Sequence, residues 1–141
     1  MQDPYDLERF VDAQDSGGAY DRAVRELQDG RKATHWMWFV FPQVAGLGRS
    51  ATSRAFAISS LEEAKAYLEH PVLGPRLVEC AGIVAAGPHS RAEQILGVVD
   101  AQKLHSSMTL FMRADPARPV FQKVLDRCFG GRPDPATEQR I

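Results

Sequence analysis

Val98-Val99-Asp100-Ala101-Gln102-Lys103-Leu104-His105-Ser106-Ser107-Met108-Thr109-Leu110-Phe111-Met112-Arg113 runs without a glycine or proline, and Gly97 precedes it. At ~100° per residue Leu104, Met108 and Phe111 share one face, so the spacing predicts a helix over 98–113. Asp100, Lys103 and Ser107 fall on or beside that apolar face. Gln102, His105, Thr109 and Arg113 fall opposite, as a solvated set would. An acid, a base and a hydroxyl therefore point partly inward, where a charge is costly unless paired and hydrogen-bonded. Asp100 and Lys103 stand at i, i+3 and can pair. Two readings stay open. One is an internal ion pair holding helices together. The other is a site with Asp100 and Lys103 as its catalytic pair, Asp100 as acid/base or ligand acceptor and Lys103 as anion binder, and Ser107 beside them.

Outward from this segment the helical period repeats. Tyr20, Ala23, Val24 and Leu27 form an i, i+3, i+4, i+7 stripe ending at Asp29-Gly30, where glycine suits a left-handed residue. Asp3-Pro4 reads as a helix start before Leu7, Phe10 and Val11, and Gly17-Gly18 breaks the chain. Ser60 to Glu63 and Ser90 to Glu93 have the spacing of capping boxes. A helix is expected from about Val72 to Ala86, with Leu73, Leu77, Cys80, Ala81 and Val84 inward, closed by Gly87-Pro88. Asp115-Pro116 and Asp134-Pro135 read as further starts, with Phe121, Val124, Leu125 and Cys128 inward after the first. The expected fold is all-α: a bundle of about six to eight short helices, with Trp36–Val44 and Arg54–Ile58 as short irregular or strand segments. Nothing marks an internal boundary, so residues 1–141 are expected to form a single domain.

The chain of 141 residues carries 17 basic and 18 acidic residues, a formal net charge of -1. That balance argues against general nucleic-acid binding, which draws on a basic surplus. Cys80 and Cys128 match no zinc or redox spacing and are expected as reduced, buried thiols. No histidine stands at metal-ligand spacing from another, so neither metal nor cofactor is expected. No apolar run approaches the ~20 residues of a membrane span, and no secretory signal opens the chain, so the expected address is cytoplasmic.

The densest chemistry is Thr34-His35-Trp36-Met37-Trp38-Phe39-Val40-Phe41-Pro42-Gln43. Such a run is either core or the wall of a ligand pocket, with Trp36 and Trp38 offering stacking faces and His35 and Gln43 polar groups at its ends. Gly46-Leu47-Gly48-Arg49-Ser50-Ala51 satisfies the glycine spacing of a dinucleotide fingerprint, but Pro42 interrupts the strand such a fingerprint follows. It reads as a turn, or as an anion-binding loop that includes Ser50. Arg76, after Gly74-Pro75, is a further candidate for an anion.

These motifs, together with His70-Pro71-Val72-Leu73-Gly74-Pro75-Arg76-Leu77 and Gly97 through Phe111, resemble a family of uncharacterised bacterial and fungal proteins often labelled calpastatin. The resemblance runs from Leu7 to Thr137 and implies a mainly helical fold. The label carries no function here: calpastatin is a disordered, repeat-built protease inhibitor, and this chain is unrepeated and rich in core-forming aromatics. Asp100, Lys103, Met108, Phe121, Leu125 and Phe129 are also similar to the C-terminal part of the N-glycosidase domains linked to NAD and ADP-ribose. The resulting expectation is a small-molecule site for a nucleotide or ADP-ribose-like ligand, with hydrolytic N-glycosidase chemistry. The alternative is a protein-interaction module using an exposed aromatic patch.

Overall fold

A computed structural model describes residues 3–87 and 89–141. Six helices of eight residues or more form among them: α1 (Glu8–Asp15), α2 (Ala19–Gln28), α5 (Leu61–Glu69), α6 (Leu73–Ala86), α8 (Val98–Ala114) and α9 (Pro119–Phe129). Four single-turn helices complete the set: α3 (Met37–Val40), α4 (Ala51–Ala55), α7 (Ala92–Leu96) and α10 (Pro135–Glu138). The all-α expectation holds. Of the two irregular segments, the first folds into the α3 turn and the second into the end of α4. At the ends of the two segments Val44 and Ile58 meet in one parallel bridge: Ala45 N–H donates to the Ile58 carbonyl at 2.8 Å, and Ile58 N–H to the Gln43 carbonyl at 2.8 Å.

The central helix is α8, against which α5, α7, α9 and α10 all pack. Leu104, Met108 and Phe111 are fully buried, as their spacing predicts. Aromatic rings then continue the core across the molecule. Phe121 meets Phe111 at 5.9 Å between centroids, Phe111 meets Tyr67 at 5.2 Å, and Tyr67 meets Phe10 edge-on at 5.2 Å. Phe56 bridges Phe10 and Phe39 at 5.7 and 5.5 Å. Such contacts contribute about 0.5–1.5 kcal/mol each beyond their burial.

Turn chemistry follows the sequence with local corrections. Gly17, Gly18 and Gly30 take positive φ at the expected breaks, and Gly130 does so at the end of α9. Ser60 caps α5 through Glu63 N–H at 3.1 Å, but the Glu63 carboxylate reaches Ser59 rather than Ser60, because Arg9 holds its other oxygen at 3.0 Å. The expected second box does not form: Arg91 precedes α7 without a side-chain cap. Asp3 accepts from Leu7 and Glu8 N–H and so caps α1 several residues before it begins. The helix expected at Asp115-Pro116 starts instead at Pro119, and Asp115 pairs with Arg118 at 3.2 Å. Gly87 follows the end of α6, and Pro88, the other half of that expected stop, lies outside the described residues.

The face of α8 expected to be solvated is covered only in part. Gln102 and Arg113 are exposed, but Thr109 is fully buried, with Ser106 beside it nearly so, because the C-terminal segment lies across them. Asp134 accepts from Ser106 and Gln102 and caps α10 through Thr137, while Arg113 pairs with Glu138. His105 stacks flat on Phe129 with centroids 4.2 Å apart. Cys80 is buried, whereas Cys128 is only partly so, and both are free thiols. No helix among the described residues is long and apolar enough to cross a membrane.

Candidate functional site

Glu26, on the last turn of α2, organises the loop that follows. Its Oε1 accepts from Ala33 N–H at 2.7 Å, Thr34 N–H at 2.9 Å and the Trp36 indole N–H at 2.9 Å, and its Oε2 from the Thr34 hydroxyl at 2.6 Å. Burial pushes this carboxyl up, but the donors of Thr34, Ala33 and Trp36 outweigh it and bring it down to about 2. The indole partner of Trp36 is therefore Glu26 rather than His35 or Gln43. Lys32 N–H donates to the Ile95 carbonyl at 2.7 Å, which ties this loop to the end of α7 and hence to the start of α8.

That tie brings two distant segments together. The Asp100 carboxylate lies between two ammonium groups, Lys32 at 2.9 Å and Lys103 at 3.0 Å. Each lysine also sits over an indole: Lys32 is 5.3 Å from the Trp36 ring centroid and Lys103 3.8 Å from that of Trp38. Burial raises the Asp100 carboxyl, but hydrogen bonds and charge from Lys32 and Lys103 prevail and hold it below the ordinary carboxylate value. The side chains of Lys32, Asp100 and Lys103 are 12%, 17% and 17% exposed, so the cluster is half-sunk rather than sealed. It opens on a cavity of about 80 Å³, which His35, Trp36, Met37 and Trp38 also line. Lys32 and Lys103 outnumber Asp100, so the cluster carries one surplus positive charge. Each ammonium has three donors and gives Asp100 one of them. The rest can meet an anion.

Trp38 is shared with a second cavity of about 190 Å³, lined by Gln43, Gly46, Gly48, Ser53, Arg54 and Phe56 among others. A side chain at Gly48 would meet Ser53 Cβ at 2.5 Å, so only glycine lets this turn close against α4.

Residues 4–141 match a family described as a protein of unknown function (DUF1810). The chain belongs to the DUF1810 family. It is 50% identical to the conserved hypothetical protein Rv1873 from Mycobacterium tuberculosis and superposes on its crystal structure with a TM-score of 0.94. That match covers 99% of this chain and 98% of the other. No curated protein matches it.

In this DUF1810 chain, His35, Trp36, Trp38, Asp100 and Lys103 converge on one cavity, and four other candidates do not. Gln43 lines the second cavity. Ser50 is exposed and caps α4, accepting from Ser53 N–H at 3.1 Å. Arg76 is engaged in the fold: it pairs with Asp15 at 2.9 Å, donates to Gln14 at 3.1 Å and lies over the Tyr20 ring. Ser107 is fully buried, its hydroxyl has no hydrogen-bond partner among the described residues, and it lines neither cavity. On the wheel it lies about 40° beyond Phe111, at the edge of the apolar face. Sequence reasoning missed Lys32 and Glu26. Both lie outside any periodic pattern of the aromatic run, and the contact between 32 and 100 is a long-range one. Among the described residues no three His, Cys, Asp or Glu side chains gather as a metal site.

Proposed function

We propose that this chain binds a small anionic ligand of the nucleotide or ADP-ribose class at the Lys32–Asp100–Lys103 cluster. The carrying observation is the assembly of groups from distant parts of the chain, two cations and a carboxylate between two indoles, at the mouth of one cavity. The spare ammonium donors suit phosphate, the part-exposed Trp38 indole suits a planar ring, and the carboxylate suits a ribose hydroxyl. Because Asp100 is held ionised, it serves as a hydrogen-bond acceptor or as a fixed negative charge, not as a proton donor. That suits N-glycosidic hydrolysis. The C1′–N bond breaks with its electron pair leaving on the base, a water oxygen bonds to C1′, and a water proton ends on the base. The sugar passes through a cationic, oxocarbenium-like state that a nearby carboxylate stabilises.

The alternative docking function needs exposed aromatic rings. Trp36 and Phe41 are 1% and 0% exposed, Trp38 and Phe39 only partly so, and the large hydrophobics that stand out among the described residues are Val98 and Val99. The cluster is therefore the favoured reading.

Thermal unfolding against AMP, ADP, NAD, ADP-ribose and ribose 5-phosphate tests it. A ligand present at 100-fold its Kd stabilises the native state by about 2.7 kcal/mol. At least one of these ligands is expected to raise the wild-type Tm, and Asp100→Ala and Lys103→Ala are expected to abolish the rise. A panel that leaves the wild type unmoved would overturn the proposal.

A further inference from the structure

We infer that the cavity beyond Trp38 is a second subsite of the same ligand, taking a planar heteroaromatic ring, while the lysine cluster takes the ligand's phosphates. This rests on the anion-binding reading above and assigns a task to residues that reading does not use. Three observations carry it. The cavity is about 190 Å³, below the ~300 Å³ at which pockets for drug-sized ligands begin, so it has room for one ring system rather than a whole dinucleotide. Trp38 and Phe56 bring aromatic surface to it, and Gln43 brings the option of an amide that both donates and accepts. Its lining includes the Arg54 guanidinium and no carboxylate, so it is electrostatically open to a ring joined to an anion.

Position supports the link between the two subsites. Trp38 lines both cavities, and its ring carries the Lys103 ammonium at 3.8 Å. The turn at Gly46 and Gly48, which lines the cavity, has no room for a side chain at either glycine. Gly46 takes φ +97 and the Arg140 guanidinium packs onto it, while the Trp38 Cη2 edge would lie 3.7 Å from a Cβ at Gly48. Stacking between a base and an aromatic side chain needs an unobstructed ring approach, which a side chain at Gly48 would narrow.

The test compares ADP with inorganic pyrophosphate by titration calorimetry, on wild type, Arg54→Ala, Ala45→Phe and Lys103→Ala. Ala45 and Arg54 are exposed, so both variants at the second cavity keep the core, and unchanged pyrophosphate binding reports that they are folded. The wild type is expected to bind ADP about tenfold or more tightly than pyrophosphate, the scale of one stacked base. Ala45→Phe, which fills the cavity, and Arg54→Ala should reduce ADP binding toward the pyrophosphate level and leave pyrophosphate unchanged. Lys103→Ala should weaken both. Equal wild-type affinities, or ADP binding that ignores Ala45→Phe and Arg54→Ala, would overturn the ring subsite and leave the anion site standing. Failure of the wild type to bind either probe would overturn both.

Discussion

Gly74 stands where α6 turns back against the end of α5. A Cβ there would overlap the Leu68 carbonyl oxygen, and backbone has little freedom to yield. Gly74→Ala is therefore expected to destabilise by about 1–3 kcal/mol, the range of overpacking, even though alanine is the better helix former; urea denaturation measures it. The neighbouring His70 acts in the same junction as an acceptor: its Nδ1 receives Val72 N–H at 3.1 Å and Leu73 N–H at 3.3 Å, satisfying donors at the start of α6. Glu26 gives a second prediction at this scale, one of pH. Its carboxyl sits at about 2 in the folded chain against an ordinary 4.5. The unfolded state thus binds the proton first as pH falls. The Glu26 contribution is complete above about pH 4.5 and is lost as pH drops through about 2. Glu26→Gln removes that titration and one charge-assisted acceptor. Its stability at pH 7 should fall by about 1 kcal/mol, and its acid-unfolding curve between pH 4.5 and 2 should be shallower than the wild type's.

Between elements, the contact of the C-terminal segment with α8 is the one most open to attack. Asp134 accepts from the Thr137 hydroxyl at 2.6 Å, Thr137 N–H at 3.2 Å and the buried Ser106 hydroxyl at 3.1 Å, and its own N–H donates to Thr109 at 2.8 Å. Asp134→Ala removes a cap, worth about 0.5–2 kcal/mol, and strands the buried Thr137 hydroxyl, while Ser106 keeps only the Gln102 carbonyl. The expected loss is about 2–4 kcal/mol by chemical denaturation, with Asp134→Asn milder. The same element shows what could be read from sequence. Leu104, Met108 and Phe111 fixed the inner face of α8 because a 3.6-residue period needs no knowledge of neighbours. Thr109 was misread as solvated because a small hydroxyl suits either environment, and only the return of residues 132–141 decides between them. Asp134-Pro135 was legible as a start because capping is local, whereas the Ser90 box failed although its spacing was right. At the site, Trp36, Trp38, Asp100 and Lys103 stood out as misfits to a plain core pattern. Lys32 completes the cluster through a contact between positions 32 and 100, which no local spacing announces.

For the molecule as a whole, the sequence pattern and the structure together bear on how the chain unfolds. One buried hydrophobic cluster runs from Leu7 to Leu125, and the aromatic series from Phe121 to Phe39 threads through it without a gap. The Lys32–Asp100–Lys103 cluster clamps the loop after α2 to α8, and Arg9 and Glu63 clamp α1 to α5. Our proposal is that these cross-links make residues 1–141 a single cooperative domain. Two probes distinguish this from stepwise unfolding. Trp36 and Trp38 lie at the junction of the early loop with α8, so their fluorescence reports that junction, whereas far-UV circular dichroism reports all the helices. Coincident midpoints are expected, with an unfolding enthalpy of about 100 kcal/mol near 60 °C from the usual specific value per residue. Asp100→Ala should lower both midpoints together, since it leaves Lys32 and Lys103 facing each other without a counterion. If it advanced the fluorescence transition alone, the N-terminal third would be unfolding on its own, and the cluster would be a latch between two units rather than part of one.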